Sequence, residues 1–557
     1  MNNYITKSNF LVDCYASIAE QAEKIDKFID LLEDSGVFEF IKVNTNISDN
    51  VEQGGGRPRY NPYRLLTLIL YNFAFGNGKL RDIEERCKYD LRCMYIMNNK
   101  APTHMTIGSF INDYILPNQT EIFSIITNTI FKFCSIKMDK MYIDGSKFEA
   151  NANKYKFVWK PTTYHIRLSD KVRLLLKKYD IMRGISSEGI IDSKIIANKV
   201  IELHKYFHNN NIDLELKINK VYCKDYYMLL NYLDKSLEYE EKERICGPNR
   251  SSYYKTDYDA TAMCLKEDYY SGLGSNMHAA YNTQIAVCYG FITTYLVTQS
   301  RTDLYDFIPL LKQHFNLYNL YPISICADSG YGSLDNYKFL ENNNIKNFVK
   351  YSTWEGNVSG KRPSQYKINI DDTITCLNGN IGYVDNDTSR HHKKANSTFY
   401  KIDGCNDCDF SLFCKRFMKD KTEDFKIFEV SSELQKFIQQ AEDNLLSVEG
   451  IEMRVNRSAQ VEGAFGIIKQ NLNYDRFRRR KLLNVSAEFM LVCLGYNIRK
   501  LFKHFDGNLK FDYWKAPVDI KPETFKKPSA KRLCNSASKI KKKSPNETAR
   551  TSYKYTK

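Results

Sequence analysis

The stretch DKMYIDGSKFEA, residues 139–150, decides the fold class. Met141 and Ile143 alternate with Tyr142 and Asp144, and this period of two predicts a β-strand. A glycine follows Asp144 directly, so we expect the strand to end at Asp144 with its carboxylate exposed. The remaining fold depends on the segments that pair with this strand.

Further strands are predicted in the middle of the chain. YNTQIAVC (281–288) and FITTYLVT (291–298) flank Tyr289-Gly290 and predict a β-hairpin. The next elements are predicted to be a helix and two strands, at 303–315, 323–330 and 347–352. Helices that cross between strands favour an α/β architecture, here a mixed sheet with helices packed on it.

Asp328 in ISICADSG is expected to end its strand as Asp144 ends the first one. Ligand sites of open α/β sheets lie at the carboxyl ends of strands. Adjacent strands lie about 4.8 Å apart, so both carboxylates would share one divalent ion if the two strands are neighbours. Oxygen ligands of this kind suit Mg²⁺, which keeps water and phosphate oxygens in its shell.

A third carboxylate, Glu462, lies in a predicted helix over 458–472. The helix is predicted from apolar residues at spacings of four, three and four: Val461, Phe465, Ile468 and Leu472. Glu462 lies at the edge of this stripe. At about 100° per residue, Lys469 returns to within about 20° of Glu462, so both side chains are expected to point toward one site. Three carboxylates around two metal ions would support phosphodiester cleavage.

Composition limits the class of protein. The chain has 557 residues, of which 43% are hydrophobic and 26% charged, so two to four folded domains are expected rather than wholesale disorder. The longest apolar stretches, 65–75 and 285–297, are shorter than the roughly 20 residues of a membrane span. The N-terminus has no signal-peptide pattern, so a reducing cytoplasm is expected. The net charge of +15 favours a polyanionic partner.

Positive charge is concentrated in two places. Residues 521–557 carry twelve Lys or Arg against two acidic residues and few apolar ones, so residues 506–557 are predicted to form a basic, disordered tail. The second place is the arginine cluster, which is interleaved with aromatic residues and consists of Arg476, Arg478, Arg479 and Arg480. Guanidinium groups suit phosphate recognition, and a solvated helix end is the alternative.

Five blocks of the sequence together resemble insertion-sequence transposases of the DDE class. They are YIDGSKFEANANKYKFVWK (142–160), TDYDATAM (256–263), HAAYNTQIAV (278–287), ADSGYGS (327–333) and RSAQVEGAFGIIKQNLNYDRFRRR (457–480). The resemblance runs from about residue 56 to residue 505. It implies an RNase H-like catalytic domain, preceded by an all-α N-terminal domain.

The resemblance also implies roles for single residues. Asp144, Asp328 and Glu462 would be the catalytic acids that bind two Mg²⁺ ions, with Mn²⁺ as an alternative metal. Lys469 would contact the terminal DNA phosphates. The related Tyr-Arg-Glu-Lys signature has an Arg four positions before the Glu; this chain has Ser458 there and Arg457 one position earlier. Arg457 is therefore the candidate for that DNA contact.

The expected organisation follows from these assignments. Residues 1–135 are predicted to form a helical DNA-binding domain and 136–505 the catalytic domain, with a helical insertion at about 155–255 and a Cys-containing one at 353–450. The expected function is cleavage and transfer of DNA strands at element ends, by a homodimer bound to double-stranded DNA, without a membrane partner, in the cytoplasm at the nucleoid. The alternatives are a structure-specific nuclease and an inactive DNA-binding derivative.

The second insertion contains four cysteines, Cys376, Cys405, Cys408 and Cys414. A C-x2-C pair with two further cysteines is typical of tetrahedral zinc sites, with Zn–S distances of about 2.3 Å. The sequence therefore predicts a candidate structural zinc site. Free, buried cysteines are the alternative.

Overall fold

The computed structural model describes residues 24–44, 59–266, 268, 271, 276–387, 397–418, 420–508, 513–526 and 529–541. Its strands are β1 (Lys140–Glu149), β2 (Phe157–Trp159), β3 (Ser252–Tyr254), β4 (Thr261–Met263), β5 (His278–Cys288), β6 (Phe291–Thr298), β7 (Ser324–Ala327), β8 (Lys346–Val349), β9 (Tyr366–Ile368), β10 (Ile374–Cys376), β11 (Ile381–Val384), β12 (Thr398–Asp403) and β13 (Phe425–Val430). They form three separate sheets.

The central sheet has six strands in the order β4-β5-β1-β7-β8, with β6 also paired to β5. β1 is antiparallel to β5 and parallel to β7, and β7 is parallel to β8. An antiparallel hairpin, a central first strand and two parallel strands form an RNase H-like mixed sheet. The predicted fold class is confirmed.

The predicted hairpin is also confirmed, as β5 and β6. Its two turn residues, Tyr289 and Gly290, have φ angles of 49° and 75°. Two successive residues with positive φ make the turn type whose twist matches antiparallel strands. The turn therefore fixes the register between the two strands.

The N-terminal region is helical, as predicted, but it does not have a core of its own. Its helices are 24–35, Val37–Asn44, Pro62–Phe75, Leu80–Tyr89, Leu91–Ile96, His104–Phe110 and Gln119–Phe133. Their buried side chains belong to the same hydrophobic core as the central sheet. The helix Pro62–Phe75 packs closely against the helix Leu482–Phe505, because Gly495 in the latter has no side chain. A Cβ at that position would lie 2.4 Å from the Phe73 carbonyl oxygen.

Further helices pack around the central sheet. They are Phe307–Tyr318, Leu334–Asn342, Trp354–Ser359, Ser432–Leu446 and Leu482–Phe505, together with a helix over residues 448–471 that we call the Glu helix. The Glu helix follows Ser447, whose hydroxyl accepts the N–H of Gly450 and caps the N-terminus.

Both predicted insertions form small units with separate cores. The first consists of the helices Thr162–Lys177, Ser193–Asn209 and Lys220–Cys246, which are joined to the central sheet through the two-stranded sheet of β2 and β3. The second contains the five-stranded sheet β13-β12-β11-β10-β9 and the short helix Ser411–Cys414. Its core includes Ile374, Tyr400 and Val430.

The predicted disordered tail is partly wrong. In the described part, Glu523 forms an ion pair of 2.6 Å with Arg454, and Phe525 contacts Trp354 at 5.8 Å between ring centroids. A helix follows at Ala530–Lys541, with Leu533 buried. These few apolar residues suffice to attach the segment to the folded body, while 542–557 lie outside the described residues. Within those described ranges, every helix is too short or too polar to cross a membrane.

Candidate active site

Asp144 and Asp328 lie on neighbouring strands. In the parallel pair β1–β7, Ile143 pairs with Ala327, so the two aspartates follow at the same level of the sheet. Asp328 is the first residue after β7, as predicted. Asp144 does not end β1, however, because β5 continues to pair with β1 as far as Glu149. Asp144 therefore lies where the pairing with β7 stops, and the predicted end of its own strand was wrong.

Glu462 lies at an irregular part of the Glu helix. The segments Ser458–Glu462 and Ile467–Asn471 are π-helical turns, separated by one α-helical turn. π turns inside α-helices are rare and are found frequently at functional sites. The predicted angle of about 20° between Glu462 and Lys469 assumes a regular α-helix. The second π turn contains Lys469 and changes the angle per residue, so this prediction does not apply. The Lys469 ammonium donates to the Lys147 carbonyl oxygen at 3.1 Å.

The guanidinium of Arg457 lies among the three carboxylates. Its Nη2 is 3.1 Å from Oδ1 of Asp144 and 3.9 Å from Oδ2 of Asp328, and its Nη1 is 3.3 Å from Oε1 of Glu462. The Arg457 side chain is only 8% exposed. The other oxygen of Glu462 accepts a hydrogen bond of 2.9 Å from the Ser458 hydroxyl. We call these three acids and Arg457 the carboxylate site.

Burial and charge compete at this site. Burial raises the pKa of Asp144 to about 6, although Arg457 and the N–H of Gly145 lower it. Burial lowers the pKa of Arg457, but the carboxylates of Asp144 and Asp328 raise it by more, so the net shift is upward. Arg457 is therefore charged at any physiological pH, and it compensates an anionic cluster that burial alone would disfavour.

A hydrogen-bond network lies beside Asp144 and was not predicted. Asp303 Oδ1 accepts from the side-chain amides of Asn282 at 2.8 Å and Gln284 at 2.7 Å. The Tyr331 hydroxyl donates to the same Gln284 side chain. Gly145 leaves room for this network, because a Cβ there would lie 2.7 Å from Asp303 Oδ1.

From the sequence, Asp303 is expected only as the first residue of the helix predicted over 303–315. The structure has a 3-10 turn at Asp303–Tyr305 before the helix Phe307–Tyr318. The useful signal was the pair of amide residues on one hairpin strand, since Asn282 and Gln284 lie two residues apart and so point to the same face. A buried amide pair requires an acceptor.

The arginine cluster joins the central sheet to the N-terminal helices. Arg478 donates to the Asn77 carbonyl oxygen at 2.7 Å, and Arg479 donates to Oδ1 of Asn112 at 2.6 Å. Burial lowers the pKa of Arg479. These two side chains are half-buried, whereas Arg476 and Arg480 are exposed. The cluster is therefore divided between internal and outward-facing arginines.

The four cysteines of the second insertion are all half-buried. Burial raises the pKa of Cys405 and Cys408, and it raises that of Cys414 to about 11; neighbouring cysteines contribute in the same direction. The thiols are thus close enough to influence one another. In the described part of the chain, however, no group of three or more His, Cys, Asp or Glu side chains is arranged to hold a metal ion. The predicted zinc site is therefore not supported.

Two segments match families of known transposases. Residues 15–113 match the family described as Transposase domain (DUF772), and residues 375–502 match the family described as Transposase DDE domain. The second match contains Arg457 and Glu462, the cysteines and the arginine cluster. No curated protein and no solved structure matches the chain. The two matches flank the strands that carry Asp144 and Asp328.

Proposed function

We propose that this chain, an insertion-sequence transposase of the DDE class, uses Asp144, Asp328 and Glu462 to cleave DNA strands at the element ends and to join them to target DNA. The observation that carries the proposal is the convergence of these three acids on one buried guanidinium. They come from segments up to 318 residues apart in the sequence. Bringing three carboxylates together, with the Asp144 side chain only 22% exposed, costs free energy and is typical of a functional site.

The residues of the carboxylate site fit divalent metal ions. Their donors are carboxylate oxygens, which Mg²⁺ and Mn²⁺ prefer, and they already surround a cationic group. Asp144, Asp328 and Glu462 would hold two such ions. When bound, the ions would activate water or a 3′-hydroxyl and stabilise the leaving oxygen. Transposases of this class normally use divalent metal ions.

Arg457 takes a second role in this proposal. Its guanidinium balances the carboxylates in the structure. If bound metal ions supply the positive charge instead, the Arg457 side chain would be free to donate to a DNA phosphate, for which its planar fork is suited. The Nε of Arg457 is buried and has no hydrogen-bond partner among the described residues, so the present contacts do not satisfy the whole group.

The DNA itself would lie along the positive groups beside the site. Arg476 and Arg480 face outward and would contact phosphates, while Arg478 and Arg479 hold the N-terminal helices against the catalytic sheet. Lys469 would contact the terminal phosphates from the Glu helix. Acting on two element ends favours a homodimer on DNA, with residues 1–135 contributing to end binding and 136–505 to catalysis. A protein with this partner would work at the nucleoid in the cytoplasm.

The test is strand cleavage and joining on DNA that carries the element ends. Asp144→Asn and Glu462→Gln keep the shape of each side chain and remove its charge, so each is expected to lower cleavage at least 1000-fold, on the scale of a lost catalytic group. Glu429→Gln, at an exposed position of β13, is the matched control and should remain fully active.

The same assay separates transposase from nuclease. Joining of a cleaved end to a second DNA molecule supports transposition, whereas cleavage without joining supports the alternative, a structure-specific nuclease. Full activity of both carboxylate variants would refute the assignment of the site. An inactive wild-type protein that still binds the ends would support the DNA-binding derivative.

A further inference from the structure

Three aromatic side chains lie exposed in and beside the strand that leads into the helical insertion. Tyr155 is 81% exposed, Phe157 45% and Trp159 51%. Phe157 and Trp159 are on the same side of β2, and their rings meet edge to face at 5.7 Å between centroids. We call residues 154–160, with their partner strand β3, the aromatic ribbon. Exposed apolar side chains that form a contiguous patch indicate a binding surface more often than scattered ones do.

The aromatic ribbon is held in place by a buried side chain of the neighbouring strand, and its outer rings remain exposed. Phe157 contacts the buried Tyr254 of β3 at 6.4 Å between centroids, and Phe157 and Tyr254 are paired in register. The helical insertion packs around a different core. The two outer rings are therefore held in fixed positions while their faces remain accessible, which is the arrangement that a stacking platform requires.

The segment of the aromatic ribbon that carries the exposed rings is basic. Between residues 150 and 169 there are four basic residues and no acidic one: Lys154, Lys156, Lys160 and Arg167. The ammonium of Lys154 lies 5.3 Å from the centroid of the Tyr155 ring. Aromatic rings interleaved with cations are the combination that binds single-stranded nucleic acid, since bases stack and phosphates pair with the cations.

The aromatic ribbon adjoins the arginine cluster. The side-chain amide of Asn151 donates to the Arg478 carbonyl oxygen at 2.6 Å, and Nε of Arg480 donates to the Asn151 carbonyl oxygen at 2.8 Å. β1, which carries Asp144, ends at Glu149 next to this contact. Five residues of strand span roughly 17 Å, so the contact at Asn151, where the segment of the aromatic ribbon begins, lies only a few nucleotide lengths from Asp144.

We propose that the aromatic ribbon binds unpaired bases of DNA, with Phe157 and Trp159 as the stacking surfaces and Lys154 and Lys156 as phosphate contacts. The binding itself is independent of catalysis. Only the source of the unpaired strand, the end opened at the carboxylate site, rests on the proposed function. Stacking is tolerant of sequence because every base has a π-face.

Trp159 supplies its own probe. The chain has three tryptophans; Trp354 is buried, whereas Trp514 is exposed and would contribute to the emission. In a Trp514→Phe background, titration with a short oligothymidylate in EDTA should quench the Trp159 emission, because a stacked base quenches indole fluorescence. A hairpin duplex of the same length should quench much less.

Two substitutions test the stacking separately from the charge. Phe157→Leu and Trp159→Leu stay apolar but lose the flat ring, so each is expected to weaken oligothymidylate binding about tenfold, as followed by the anisotropy of a labelled oligonucleotide. Tyr383→Leu, at an exposed position of β11 in the other insertion, is the matched control and should bind like the wild type. Circular dichroism and the midpoint of thermal unfolding establish that the variants are folded.

Several outcomes would overturn the proposal. Unchanged affinity in both folded leucine variants would show that the rings do not stack on bases. Equal quenching by duplex and by single strand would assign the surface to double-stranded DNA instead. Because the titration contains no metal ion and requires no cleavage, single-strand binding with an inactive carboxylate site would refute only the proposed function, and cleavage without ribbon binding would refute only this inference.

Discussion

The carboxylate site and the cysteine-containing insertion differ in the charge that each must balance. At the carboxylate site, three acids lie within 4 Å of a single buried guanidinium. In the insertion, burial raises the pKa of three of the four thiols, so those groups remain neutral at physiological pH. The carboxylates carry negative charge that the guanidinium balances, whereas neutral thiols carry no charge to be balanced.

The two regions also differ in how they are held together. The carboxylate site joins β1, the end of β7 and the Glu helix, which all contribute to the main core. The cysteines lie in one small sheet and in the loop and short helix beside it, in a unit with a separate core. A site built from distant segments forms only when the whole domain folds, whereas a local cluster forms with its own unit. The charge balance at the carboxylate site is therefore tied to the stability of the domain.

The largest expected effect on stability comes from removing the central cation. Arg457→Gln removes the cation that Asp144 and Glu462 share and leaves Asp328 only Lys350, at 3.9 Å; in EDTA it should lower the free energy of unfolding by about 3 kcal/mol, as is typical when one partner of a buried ion pair is lost. Added Mn²⁺ should restore most of this loss, because it supplies positive charge to the same oxygens. Denaturant unfolding with and without Mn²⁺ measures both quantities.

Arg457→Lys is the control for this substitution, since it keeps the charge but not the planar fork. It should lose less stability in EDTA than the glutamine variant and should respond less to Mn²⁺. If the glutamine variant were as stable as the wild type without metal, Arg457 would not be balancing the acids, and the contrast with the thiol cluster would disappear.

Much of the scaffold of the carboxylate site was predictable from sequence. Alternation in 139–150 and the turn at Tyr289-Gly290 specify strands through local patterns, and the structure confirms both. That β1 continues past Asp144 was not predictable, because the extension depends on pairing with β5, a segment far along the chain. The π turn at Ser458–Glu462 was missed for a similar reason: no residue pattern within the helix signals it.

The predicted tail failed for a different physical reason. Composition described residues 506–557 as too polar to fold alone, which is a statement about an isolated segment. Phe525 and Leu533 nevertheless find apolar surface on the folded body. A segment that cannot build a core can still attach to one.

A smaller effect is expected from Asp303, which supports the carboxylate site from the side. Asp303→Ala removes the acceptor of the Gln284 amide and one of the two acceptors of the Asn282 amide, which also donates to Asp306, a loss of about 1–3 kcal/mol for buried groups. Asp303→Asn keeps one acceptor oxygen and should lose less. Unfolding free energies, measured together with the rate of strand cleavage, test the support; equal stability of the alanine variant and the wild type would contradict it.

The smallest effect is expected in the thiol cluster. Cys405→Ser should change the unfolding midpoint little, and elemental analysis of the purified protein should find no stoichiometric zinc. Because the pKa of Cys414 is raised to about 11, its thiolate fraction at pH 8 should be roughly 100-fold below that of an ordinary cysteine. Its alkylation by iodoacetamide, followed by mass spectrometry, should therefore accelerate about tenfold per pH unit up to pH 11. One zinc ion per chain, or fast alkylation at pH 8, would mean that this cluster also carries charge, and the distinction between a site that requires a cation and one that does not would fail.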